Sequence, residues 1–174
     1  FVGNRSNYKN FIFFFESVAS LLKEDSNLYL VCAGGNSFTK EELELINSYS
    51  LTNQVIQNNF KDAELATYYT KARCFVFPSA YEGFGIPVLE SMSCGCPIIL
   101  ANHSSFPEVA GDAGIYFELG NKEDLKDKVA SILSDNEKRL TYVAKGLEQA
   151  KKFSWEKTTK ECINVELFYL SMKF

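Results

Sequence analysis

The sequence has a single histidine, no Asp-x-Asp, no His-Glu-x-x-His and no Cys/His cluster, so the residue groupings that hold catalytic or structural metals are missing and no metal site is expected. It also lacks any basic run or stripe. Lys and Arg together number 18 against 22 Asp and Glu, a formal net charge of −4. That balance argues against a nucleic-acid partner, while leaving open a nucleotide ligand that needs only one or two local cations. No apolar run approaches the roughly 18 residues of a membrane span, and no signal-peptide pattern opens the chain. No G-x-G-x-x-G follows the first strand-like run, and the adjacent pair Gly34-Gly35 follows the second, which disfavours a dehydrogenase. Repeats, low-complexity tracts and interior linkers are absent as well.

What is present reads as one domain over residues 1–174, with 46% apolar and 14% aromatic residues to build a core. The five cysteines are an odd number without metal spacing. Cys94-Gly-Cys96 reads as small buried residues at a helix-to-strand junction, and free thiols fit a reducing cytoplasm. Apolar strand-like runs occur at Phe1-Val2, Leu28 to Cys32, Val55-Ile56, Cys74 to Phe77, Ile98 to Leu100 and Gly114 to Phe117. Since the chain opens inside the first of these, it is expected to be a piece cut just upstream of it.

Helix signals fill the gaps, from about Tyr8 to Lys23, Thr39 (a capping box) to Ser48, Asp62 to Lys71, about Pro87 to Gly95, and a short turn near Pro107 to Ala110. Asn121 caps a helix carrying Leu125, Val129 and Ile132, another spans about Asn136 to Lys152, and Ser154 caps a last one anchored by Trp155. Strands alternating with helices predict an α/β fold, a doubly wound, parallel, six-stranded Rossmann-like sheet in the order 3-2-1-4-5-6. Its ligand crevice lies beyond the carboxyl ends of the first and fourth strands.

Two loops reach that crevice. The first carries Arg5 and Lys9 at the start of the first helix, where a planar fork, a point charge and a helix terminus suit a diphosphate. The second is Glu82-Gly83-Phe84-Gly85, which feeds the helix from about Pro87 and aims free backbone N–H groups at one point. Glu82 stands in this loop and Glu90 about one turn into the helix, so they meet a ligand at different places along its length.

The stretch E-G-F-G-I-P-V-L-E, with Glu82 and Glu90 at its ends, resembles the signature of the retaining glycosyltransferases of the GT-B class, family four. VGNRSNYKN at the start, VCAGG near 31–35, FPEVAGDAG near 106–114 and FSWEK near 153–157 are similar to that family in order and spacing. The resemblance implies the carboxyl-terminal, donor-binding half of a two-domain enzyme that moves a sugar from a UDP- or GDP-linked donor, with retention and without a metal or other cofactor. Arg5 and Lys9 would hold the diphosphate beside Gly3. Glu82 would hold a sugar hydroxyl near the reacting carbon, the N–H groups of Phe84, Gly85 and Ile86 would meet sugar or phosphate alongside Gly83, and Glu90 would accept from the ribose hydroxyls. One departure is that Asn4 intervenes where the family's arginine directly follows the glycine; Lys9-Asn10 stays in register.

The same resemblance implies a carbohydrate or lipid-linked acceptor bound by an absent amino-terminal domain, polysaccharide or glycoconjugate synthesis, and a cytoplasmic location, including the inner membrane face through that missing domain. An epimerase of the same shape and a nucleotide-binding module without turnover are the alternatives. Glycoside hydrolysis by the two glutamates leaves Arg5, Lys9 and the glycine turn unexplained. His103 reads as a surface loop residue, and base choice falls to loops such as Asn58 to Lys61.

Overall fold

A computed structural model of the chain describes residues 1–5 and 7–154. A 3₁₀ turn, Asn7–Lys9, leads into helix α1, Phe11–Glu24. Phe11, Phe14, Phe15, Val18, Ala19 and Leu22 recur at helical steps and are all buried. The helix starts at Phe11 rather than Tyr8 because Asn10 takes a left-handed conformation, φ 53°, that separates turn from helix.

The strands are β1 (Leu30–Ala33), β2 (Val55–Asn58), β3 (Phe75–Phe77), β4 (Ile98–Ala101) and β5 (Gly114–Phe117). Every ladder is parallel: Leu30 lies opposite Val55, Phe75 opposite Ile98, and Ile98 opposite Gly114. β3 and β4 are buried along their whole length, which is why they read as unbroken apolar runs rather than alternating ones. The intervening helices are α2 (Lys40–Ser48), α3 (Asp62–Lys71), α4 (Ile86–Ser93), α5 (Phe106–Ala110), α6 (Lys122–Ser134) and α7 (Asn136–Ala150). α1 packs on α6, and α4 on α3, α5 and α7. The capping box at Thr39 forms in both directions, with the Thr39 Oγ1 accepting from Glu42 N–H at 3.2 Å and the Glu42 carboxylate accepting from Thr39 N–H at 2.8 Å. Asn121 caps α6 through Asp124 N–H. The expected last helix, with Trp155 at its start, lies outside the described residues.

The expected single six-stranded sheet is found as five strands in two sheets, β1-β2 and β3-β4-β5. Phe1-Val2 adds only an isolated bridge from Val2 to Ala33. Ala33 N–H donates to Phe1 O at 2.9 Å, Gly3 N–H to Ala33 O at 2.8 Å, and the Phe1 amino group to Val31 O at 3.1 Å. These bonds run parallel alongside β1 from Val31 to Ala33. At the open junction lies an apolar cavity of about 670 Å³, lined by Phe1, Val2 and Leu30 and by Cys74, Phe75 and Val76. None of Lys9, Glu82 or Glu90 lines it.

Cys32, Cys74, Cys94 and Cys96 are free thiols; of the Cys94-Gly-Cys96 pair read as small buried residues, Cys96 is buried and Cys94 only half-buried, and Cys162 lies outside the described residues. Burial pushes Cys32 and Cys96 up to about 11 and Cys74 up to about 12. No helix among the described residues is long and apolar enough to cross a membrane.

Candidate functional site

Beyond the carboxyl end of β3, the chain turns through Pro78 and Ser79 and meets the loop that follows Phe1-Val2. Ala80 N–H donates to Tyr8 O at 2.7 Å, and the Asn10 side-chain amide donates to Pro78 O at 3.1 Å. These bonds, made with backbone carbonyls, bring the two switch-point loops together. The consequence is an ion pair: Lys9 Nζ lies 2.5 Å from Glu82 Oε1, each side chain only 16% exposed. The Lys9 ammonium also stands 4.9 Å from the Phe77 ring centroid and 5.3 Å from that of Tyr8.

Glu82 is fixed by its backbone. Ser104 Oγ donates to Glu82 O at 2.8 Å and accepts from Glu82 N–H at 3.3 Å, while Ser105 Oγ donates to Glu82 O at 3.0 Å. Both serines belong to the loop after β4, where Ser104 itself is left-handed, φ 58°. Gly83 is open to the surroundings, and the half-exposed Phe84 ring meets Phe153 edge-on at 5.9 Å. Gly85 is the N-cap of α4 at φ +84°, and a Cβ there would sit 3.2 Å from Val88 Cγ2 and 3.3 Å from Phe106 Cε1. Position 85 therefore needs glycine for its conformation as well as its space.

Neither α1 nor α4 has a side-chain cap on its first turn. Asn10, next to Lys9, and Gly85, close behind Glu82, both sit in the left-handed region. Two positive helix ends thus begin beside the Lys9–Glu82 pair, neither with its N-cap side chain bonded to the first turn. Ile86 is exposed at the α4 start.

Glu90 lies further along α4. Its Oε2 accepts from the Tyr69 hydroxyl of α3 at 3.2 Å. Burial first, and then the Glu90 charge, push the Tyr69 phenol's ionisation well above its ordinary range, so the phenol keeps its proton and donates.

Arg5 goes elsewhere. It is buried, its Nε donating to Glu42 Oε1 at 3.0 Å, Nη1 to Gly34 O at 3.2 Å, and Nη2 to Asn36 O at 3.1 Å and Ser37 O at 2.9 Å. Its guanidinium also stacks 4.7 Å from the Phe38 ring centroid. Most of a guanidinium's donors are used there, so the expected cationic pair separates into Lys9 at the crevice and Arg5 in the scaffold of the loop after β1. Gly35 makes that scaffold possible: a Cβ would fall 2.4 Å from Gly3 O, at φ +74°. His103 is exposed. Sequence reasoning missed Tyr69, Ser104, Ser105 and the bridging role of Asn10. Only the left-handed tolerance of asparagine and the Asn-His-Ser-Ser turn signal hint at any of them. Among the described residues no group of three or more His, Cys, Asp or Glu side chains is placed to hold a metal ion.

An ammonium, a carboxylate paired with it and two helix starts without an N-cap side-chain bond at one point can take an anionic group with a hydroxylated group beside it. The family model described as glycosyl transferases group 1 matches residues 1–149. The O-antigen chain mannosyltransferase B of Escherichia coli is 46% identical over 103 residues, covering 59% of this chain and 27% of that protein. A 4-alpha-N-acetylgalactosaminyltransferase of Campylobacter jejuni, acting on a diphospho-undecaprenol-linked saccharide by its name, is 28% identical over 93% of this chain and 44% of its own length. The chain therefore spans less than half of these relatives.

Among solved structures, the C-terminal domain of a group 1 glycosyl transferase, LpcC from Francisella tularensis, superposes with a TM-score of 0.77 at 25% identity, covering 87% of this chain and 83% of that one. HepE of Anabaena, solved with UDP and glucose, superposes with a TM-score of 0.81 at 21% identity, covering 95% of this chain and 47% of that one. The α/β fold of parallel sheets thus resembles that of GT-B carboxyl-terminal domains, and the chain belongs to the glycosyl transferases group 1 family.

Proposed function

We propose that this chain is the carboxyl-terminal half of a retaining, metal-independent hexosyltransferase and binds its nucleoside-diphosphate sugar. The observation that carries the proposal is the Lys9–Glu82 pair, set between two uncapped helix starts at the switch point. A diphosphate entering there would replace Glu82 as the anion of Lys9, with the N–H groups of Phe84, Gly85 and Ile86 completing the pocket. Glu82, released, would reach a hydroxyl of the transferred sugar. Glu90 would accept from the ribose diol.

In the reaction the bond from the anomeric carbon to the diphosphate breaks, and a bond to the acceptor oxygen forms on the same face. The acceptor's proton leaves with the departing phosphate. Lys9 and the helix-end amides would stabilise the charge on that leaving group. Arg5 would serve the site indirectly, by holding the loop that Gly34 and Gly35 begin. The names of the relatives favour a mannosyl or similar hexosyl donor and a polysaccharide or lipid-linked acceptor. That acceptor would sit on a second domain, at the cytoplasmic side of a membrane, so the chain alone would bind donor without transferring sugar.

A calorimetric panel of UDP, GDP, ADP and their sugars tests the reading. Binding of one diphosphate, unaffected by EDTA, is the expected outcome; no binding across the panel, or sugar transfer by the chain alone at the whole enzyme's rate, overturns it.

A further inference from the structure

Glu90 is held by a residue from another element. Tyr69 belongs to α3, ahead of β3, and reaches across to α4. Its ring is buried, 2% exposed, and packs edge-on against Phe75 with centroids 5.2 Å apart. The preceding Tyr68 turns instead toward Phe60, at 6.1 Å. A buried phenol needs an acceptor for its proton, and Glu90 Oε2 at 3.2 Å supplies it. A half-buried helix glutamate otherwise samples several side-chain torsions; one bond to a rigid, buried partner removes most of that freedom before a ligand arrives.

We infer that Tyr69 is a positioning residue for Glu90, holding Oε2 so that the remaining acceptor sites of the carboxylate face the ribose hydroxyls of a bound nucleotide. The inference rests on the donor-binding reading above. It makes the ribose contact a property of two helices, since α3, which follows the Asn58 to Lys61 loop, fixes the glutamate that α4 carries. A tyrosine serving only the core would leave ribose recognition untouched when its hydroxyl is removed, because the Tyr69→Phe ring still fills the space against Phe75.

The experiment is calorimetry of UDP, GDP and ADP and of their 2′,3′-dideoxy counterparts against the unmodified chain, Tyr69→Phe, Glu90→Gln and the double variant, with melting curves for each. For the diphosphate that binds, Tyr69→Phe should weaken affinity by roughly five- to tenfold, one preorganised hydrogen bond, and leave the dideoxy form within about twofold. The double variant should bind no more weakly than Glu90→Gln alone. Should Tyr69→Phe fail to fold, Tyr69→Met, which also removes the hydroxyl while keeping an apolar side chain beside Phe75, should show the same selective loss. Equal losses for both ligand forms, or additive losses in the double variant, overturn the inference. If Glu90→Gln distinguishes ribose from dideoxyribose and Tyr69→Phe does not, the positioning role alone falls. If Glu90→Gln does not distinguish them, or no diphosphate binds the unmodified chain, the donor-binding reading falls with it.

Discussion

Replacing Glu82 with Gln should tighten, not weaken, the binding of a bare nucleoside diphosphate. In the free protein the Lys9 ammonium is already satisfied by Glu82 at 2.5 Å, with both side chains 16% exposed. A diphosphate must displace that partner. At about 4 Å between charge centres and an effective dielectric near 20, the gross attraction is ~4 kcal/mol, but desolvation and ordering leave a net of about 1.5–3 kcal/mol for a hydrogen bond between such groups. Gln keeps an acceptor for Lys9 without the charge, and a neutral acceptor is worth about half as much. The free state should therefore lose about 0.75–1.5 kcal/mol, which corresponds to a roughly four- to twelvefold gain in diphosphate affinity. Isothermal titration at fixed ionic strength measures it, with the uncharged nucleoside as a control that should not change. The full sugar nucleotide should gain less if Glu82 also holds the sugar as proposed, and turnover of the whole enzyme should then fall by about a hundredfold or more. Weaker binding of the bare diphosphate to Glu82→Gln would refute the reasoning, since Glu82 would then be supporting the nucleotide rather than competing for Lys9.

Lys9→Ala should weaken the same diphosphate by less than the about 1.5–3 kcal/mol of a charged hydrogen bond, because the free-state bond to Glu82 is lost with it, and should barely affect the nucleoside, again by titration. Arg5→Met should lower stability by about 3–5 kcal/mol by leaving Glu42 buried without its cation, and adding Glu42→Gln should recover much of the loss in denaturant melts. The buried thiols predict an alkaline limit. Unfolded cysteines shed protons from about pH 9, whereas folded Cys32 and Cys96 hold theirs to about 11 and Cys74 to about 12. The unfolded state then binds fewer protons, so stability present below pH 9 falls as pH rises toward 11, and a Cys32, Cys74 and Cys96 to Ala variant should show a flatter melting profile over that range.

Much of this molecule was legible in the sequence, for identifiable reasons. β3 and β4 are buried on both faces, so their runs could not be anything but apolar, and the Thr39 box announces α2 before any packing is considered. The switch-point rule places Lys9 and Glu82 at one crevice although 73 residues separate them, and the structure pairs them there. Arg5 was not legible. Glu42 reads as the acceptor of a capping box, and nothing local shows that its second oxygen serves a guanidinium 37 residues away. Tyr69 looks like one more aromatic on the apolar face of a helix. Its hydroxyl matters only because α3 and α4 pack together, a tertiary fact that periodicity does not carry. Phe1-Val2 reads as a sixth strand and makes only the isolated bridge from Val2 to Ala33.

The serine clamp on Glu82 has a consequence in time rather than in space. Ser104 and Ser105 fasten the residue's N–H and C=O to the loop after β4, so the backbone at position 82 is held while its side chain is not bound by them. Exchange of Lys9 for another partner is then a matter of side-chain torsions, which turn over in picoseconds to nanoseconds, and not of loop opening, which takes far longer. On the donor-binding proposal the site would change occupants at the pace of a rotamer, and the rate of donor capture would be set by its arrival.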